Sequence, residues 1–80
     1  MKEVSYNGVV VGYEKSETVD KPTVYVLGEV DGVSKEFYVI VTDEIYNRLK
    51  DLGVGVMIKG KARIVSEKPL ILESTIVNIG

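Results

Sequence analysis

The stretch TVYVLGEVDGVSKEFYVI, residues 23–40, sets two runs rich in β-branched and aromatic residues on either side of Asp31-Gly32. Both central positions of a type I′ turn need positive φ, and Asp-Gly supplies this at little steric cost, so the pair predicts a tight hairpin. Placing Asp31 and Gly32 at the turn sets Val30 opposite Val33, and the pairing runs outward from there: Val26 with Phe37, Tyr25 with Tyr38, Val24 with Val39. Side chains alternate between the two faces of a strand. Val24, Val26, Val30, Phe37, Val39 and Val41 therefore share one face, and Tyr25, Leu27, Glu29, Ser34, Glu36, Tyr38 and Ile40 share the other. The first set is almost wholly apolar and is the predicted core side. Lys35, opposite Gly28, is its exception and is expected near an end of the sheet, where its ammonium reaches water. Tyr25 and Tyr38 are predicted to face each other on the outer surface.

The chain has 80 residues, enough for one core, and residues 1–80 read as a single domain. It contains no cysteine, histidine or tryptophan. Without thiol or imidazole it lacks the side chains most often used as nucleophile partners, metal ligands or proton shuttles near neutral pH, which points away from an enzyme and from any bound cofactor or metal. No apolar run approaches the roughly 20 residues of a membrane-spanning helix, and the N-terminus carries no signal-peptide pattern. The expectation is a soluble, cytoplasmic protein without a membrane partner. Ten basic and twelve acidic residues give a formal charge of −2, so attraction to nucleic acid would have to come from a local patch. Frequent Lys and Glu with no glutamine is a bias also seen in thermophilic proteins.

Valine and isoleucine supply 22 of the 80 residues, which favours strands. VSYNGVVVGY (4–13) reads as a first strand bent at Gly8 and Gly12, since glycine inside a strand pattern marks a bulge or sharp bend. EKSETVDKP (14–22) reads as a loop. TDEIYNRLKDLG (42–53) is the one predicted helix, capped by Thr42 or Asp43 and stopped by Gly53, with Ile45, Leu49 and Leu52 on its buried stripe. VGVMIKGKARIVS (54–66) alternates Val56, Ile58, Gly60, Ala62 and Ile64 against Met57, Lys59, Lys61, Arg63 and Val65. A turn at Glu67-Lys68-Pro69 leads to a last strand, LILESTIVNI (70–79).

Strand, strand, strand, helix, strand, strand, with a glycine-bent first strand, resembles the OB-fold, an all-β, five-stranded Greek-key barrel whose helix lies between strands three and four. The resemblance covers essentially the whole chain. Its most specific piece is LGVGVMIKGKARIVSEKPLILESTIVNI (52–79), which is similar to the second half of nucleic-acid-binding OB domains of the replication protein A-like and anticodon-binding kinds. The apolar alternation of VSYNGVVVGY running into Gly8 is similar to their first strand.

The resemblance implies binding of single-stranded DNA or RNA on the outer face of strands two and three and the flanking loops. Mapped onto this chain, the implied contacts are Tyr25 and Tyr38, with Tyr13 at the mouth of the first loop and Lys21, Lys61, Arg63 and Lys68 in support; Lys15 also lies in that loop. Read from the residues alone, Tyr25 and Tyr38 are equally a cross-strand pair that steadies the hairpin, an effect of about 0.2–1 kcal/mol. Lys59, Lys61 and Arg63 form a basic stripe that either follows a phosphate backbone or is a solvated face, and in OB strand order strand four adjoins strand one, which carries the stripe toward the barrel's side. Glu29 and Glu36 flank the tyrosines and repel phosphate. The alternative function is an OB-type protein-interaction module, or a small subunit, that docks on a partner or a second copy through the same patch. Asp43 and Glu44 are adjacent carboxylates, and helix capping accounts for them.

Overall fold

The computed structural model describes residues 3–14 and 21–80, so most of the loop expected at 14–22, including Lys15, lies outside the described residues. Five strands and one helix follow one another as β1 (Glu3–Glu14), β2 (Thr23–Val30), β3 (Val33–Ile40), α1 (Asp43–Leu52), β4 (Met57–Glu67) and β5 (Leu70–Ile79). The strands close into a barrel in the order β1-β2-β3-β5-β4, with β4 returning to β1. All pairings are antiparallel except β3 with β5, which is parallel and short. This is the OB-fold.

The hairpin has the predicted register, with Val30 on Val33, Val26 on Phe37 and Tyr25 on Tyr38. Asp31 and Gly32 adopt φ of 51° and 83°, as a type I′ turn requires. Asp31 also ties the turn to β1. Its backbone N–H donates to the Ser5 carbonyl at 2.8 Å, and its Oδ1 accepts from the Ser5 N–H at 2.9 Å. The core is the predicted face of this hairpin, joined by Val4, Tyr6 and Val10 of β1, Tyr46 and Leu49 of α1, Ile58 and Ala62 of β4 and Leu72 of β5. Tyr6 is buried with its ring edge-on to Phe37, and its hydroxyl is hydrogen-bonded to Ser74 at 2.7 Å, so no polar atom is stranded there.

The two strand-one glycines have different jobs. At Gly12 the pairing with β2 slips by one residue, the bulge expected from glycine in a strand. Gly8 instead sits opposite Gly28, where the two backbones approach closely. A Cβ on Gly28 would stand 2.0 Å from the Asn7 carbonyl oxygen, and one on Gly8 would stand 2.6 Å from Val26 Cγ1.

Helix α1 starts at Thr42, whose side chain accepts from the Ile45 N–H, and ends at Gly53, whose N–H reaches the carbonyls of Leu49 and Lys50. The predicted stripe needs one correction. Leu52 is 59% exposed, and Tyr46 takes its place in the core beside Leu49. The buried face is centred between Tyr46 and Leu49, so Leu52 falls on the outer side of Ile45. Strand β4 also begins later than expected: residues 54–56 form a turn bonded to β1 through Gly55 N–H to Val10 O and Val10 N–H to Val56 O, each 2.8 Å.

Gly28→Ala should destabilise the fold by about 2–3 kcal/mol, because its methyl meets backbone that cannot yield without bending a strand. Gly32→Ala should cost only about 1–2 kcal/mol, since it strains φ in open space. Urea denaturation midpoints of the two variants test this order.

Candidate nucleic-acid interface

The outer face is built by pairing that continues across three strands. Tyr25 on β2 faces Tyr38 on β3, and the parallel register sets Tyr38 beside Ile71 and Ile40 beside Glu73 on β5. Glu73 is in turn opposite Arg63 on β4. Leu72, between Ile71 and Glu73, is fully buried, so alternation turns its two neighbours outward.

The Tyr25 and Tyr38 rings stand 5.0 Å apart between centroids and are tilted by 39°. Both are half-buried. The Tyr25 hydroxyl donates to Glu36 Oε2 at 3.2 Å, and partial burial together with that bond and the carboxylate's charge pushes the hydroxyl's pKa up. Glu36 is thus engaged with the pair rather than merely flanking it. Beside Tyr38 a groove of about 260 Å³ runs over Ile40 and Ile71, walled by Thr23, Lys21, Glu14 and Pro69. Its floor is apolar and its rim carries charge of both signs. That suits a flat ring with a polar edge.

Of the residues expected at the interface, Tyr25, Tyr38, Lys21 and Arg63 are brought to this one surface. Lys21 and Arg63 meet there at Glu73, with Lys21 Nζ 3.1 Å from Oε2 and Arg63 Nε 3.0 Å from Oε1. Lys68 is exposed in the β4–β5 turn, next to Pro69 of the groove wall. Lys61 lies elsewhere: it borders a shallow depression with Lys59, Ser5 and Asn78, on the β1–β4–β5 side. The basic stripe of β4 is therefore divided, and only its Arg63 end reaches the tyrosine face.

Tyr13 is not brought to that surface. It pairs with Val24 and so turns toward the core side, where its ring meets Tyr46 edge-on at 5.8 Å. Its hydroxyl points at the Leu49 and Gly53 carbonyls, at 2.6 and 2.5 Å. It thereby ties the end of β1 to the C-terminal end of α1, sharing the Leu49 carbonyl with the Gly53 N–H. Ile71, Pro69 and Glu73 were not expected at the interface. The outward alternation of Ile71 and Glu73 could be read from LILES, but nothing local says that β3 is their neighbour.

No protein-family model and no curated protein matches the chain. Two solved structures of the mitochondrial single-stranded DNA binding protein Rim1 from S. cerevisiae are similar to it. One, in Form2, superposes with a TM-score of 0.66 at 13% identity, covering 98% of this chain and 92% of that one. A selenomethionine-labelled form gives a TM-score of 0.59 at 14% identity, covering 99% and 93%. The likeness is one of fold.

Tyr13→Phe should lower stability by about 1 kcal/mol, read by urea denaturation, because the helix end loses a hydrogen bond. Burial pushes the Tyr6 and Tyr13 hydroxyls above the usual tyrosine value. The unfolded chain then loses these protons first, so stability of the parent protein should fall as pH rises past that value.

Proposed function

We propose that this barrel binds single-stranded nucleic acid across β2, β3 and β5. The observation that carries the reading is the continuity of one face. Two adjacent tyrosines lead into an apolar groove, Lys21 stands on its rim, and Glu73 joins Lys21 to a second cation, Arg63. Bases stack on aromatic faces largely without regard to sequence, and cations beside the stack hold the backbone. Similarity over nearly the whole chain to a single-stranded DNA binding protein supports the reading. Tyr25 and Tyr38 are the stacking residues in this scheme, Lys21, Arg63 and Lys68 the backbone contacts, and Lys61 a contact for a strand that continues around the barrel's side. No catalytic step is assigned to the surface.

A second reading has its own support. Met57, Val9 and Leu27 are successive cross-strand neighbours on β4, β1 and β2. Met57 and Leu27 are exposed, and so is Val11. An apolar outer surface of this kind suits a protein partner or a second copy.

Titration with fluorescently labelled dT and rU oligonucleotides at low and moderate salt separates the two. Binding should weaken with salt, and Tyr38→Ala or Tyr25→Ala should each weaken it by about 1–3 kcal/mol, the contribution of one stacked base. Absence of binding at low salt overturns the nucleic-acid reading. A dimer in sedimentation that Leu27→Glu dissociates, without nucleic acid, supports the second reading instead.

A further inference from the structure

The parallel contact between β3 and β5 places a carboxylate where the face most needs a positive charge. Glu73 stands between Lys21, at the entry to β2, and Arg63 on β4. Its Oε1 accepts from Arg63 Nε at 3.0 Å and also from Nη2, and its Oε2 accepts from Lys21 Nζ at 3.1 Å. Each oxygen is taken by one cation. A phosphodiester offers the same pair of anionic oxygens, and guanidinium and ammonium groups bind them in the same way.

The place is also reachable. The Lys21 and Arg63 side chains are 60% and 45% exposed, while the Glu73 side chain between them is 22% exposed. Lys21 belongs at once to this trio and to the groove over Tyr38, Ile40 and Ile71. A base lying in that groove would carry its phosphate toward Lys21. Exposed ion pairs contribute little to stability and open readily, so a competing anion can enter.

We propose that Glu73 is an internal stand-in for a nucleic-acid phosphate, and that a single strand binds by displacing its carboxylate from Lys21 and Arg63. The inference rests on the nucleic-acid reading above and adds the site of one phosphate and the group that opposes it. Displacement exchanges one anion for another, so the attraction that two cations would otherwise give is largely cancelled. The bonds from Arg63 and Lys21 hold the Glu73 carboxyl below its ordinary value, so the stand-in is ionised at neutral pH. The trio thus sets the affinity of the face and damps its dependence on salt, without touching a base.

Glu73→Gln keeps the shape of the side chain and removes its charge. With labelled dT oligonucleotide at low salt, the variant should bind roughly three- to tenfold more tightly than the parent protein. The plot of log affinity against log salt should steepen by up to about 0.7, the value for one further phosphate neutralised on a single strand. The gain should vanish when Arg63→Ala is added. Asp51→Asn, which removes the same charge near the C-terminal end of α1 while the trio lies beside Thr42 and Asp43 at its N-terminal end, controls for net charge. Binding by Glu73→Gln that is equal to or weaker than the parent's overturns the inference and leaves the binding surface standing, and so does an equal gain from Asp51→Asn. Failure of both parent and Glu73→Gln to bind at low salt overturns the nucleic-acid reading itself, and the inference with it.

Discussion

Gly8 and Gly28 face each other across β1 and β2 at a distance no pair of side chains would permit. The place matters because β1 is shared. Glu3 to Val9 pair with β4, and Tyr6 to Glu14 pair with β2, so Gly8 lies where the strand has a neighbour on both sides. A sheet closing into so small a barrel must coil tightly there, and missing Cβ atoms allow the backbones to close up. Past the register slip between Val10 and Gly12, Tyr13 near the end of β1 meets α1. Once β1 has bent, β4 can return to it and β5 can reach β3.

That last contact is short, Tyr38 to Ile40 against Ile71 to Glu73, yet it assembles the candidate face. Without it the tyrosine pair would be an isolated hairpin decoration. With it the aromatic surface runs into an apolar groove and ends at a three-membered charge cluster drawn from the start of β2, β4 and β5. A chain with a formal charge of −2 has no long-range attraction for a polyanion, so the proposed binding depends on where individual cations are held. The fold holds two of them together and sets a carboxylate between them.

Much of this was legible in the hairpin sequence. Asp31-Gly32 allows one low-strain turn, the turn sets the pairing, and strict alternation assigns each residue a face. The same reasoning located the alternation of β4, the span of β5 and the Thr42 and Gly53 caps. It failed where several periods compete. Ile45, Tyr46, Leu49 and Leu52 are all compatible with a buried stripe, and only the position of the barrel beneath α1 selects Tyr46 over Leu52. Tyr13 could be placed at a strand end, but whether its hydroxyl meets solvent or the end of a helix depends on how α1 docks.

The sequence by itself therefore determined the strands, the hairpin register and the outward pairing of Tyr25 with Tyr38, because turn stereochemistry and the two-residue period act between near neighbours. Only the tertiary structure decided that Ile71 and Glu73 continue that surface, that Arg63 and not Lys61 reaches it, and that Tyr13 does not. Alternation tells which face a side chain occupies, but its neighbours on the next strand are set by closure of the barrel, which joins residues far apart in the chain.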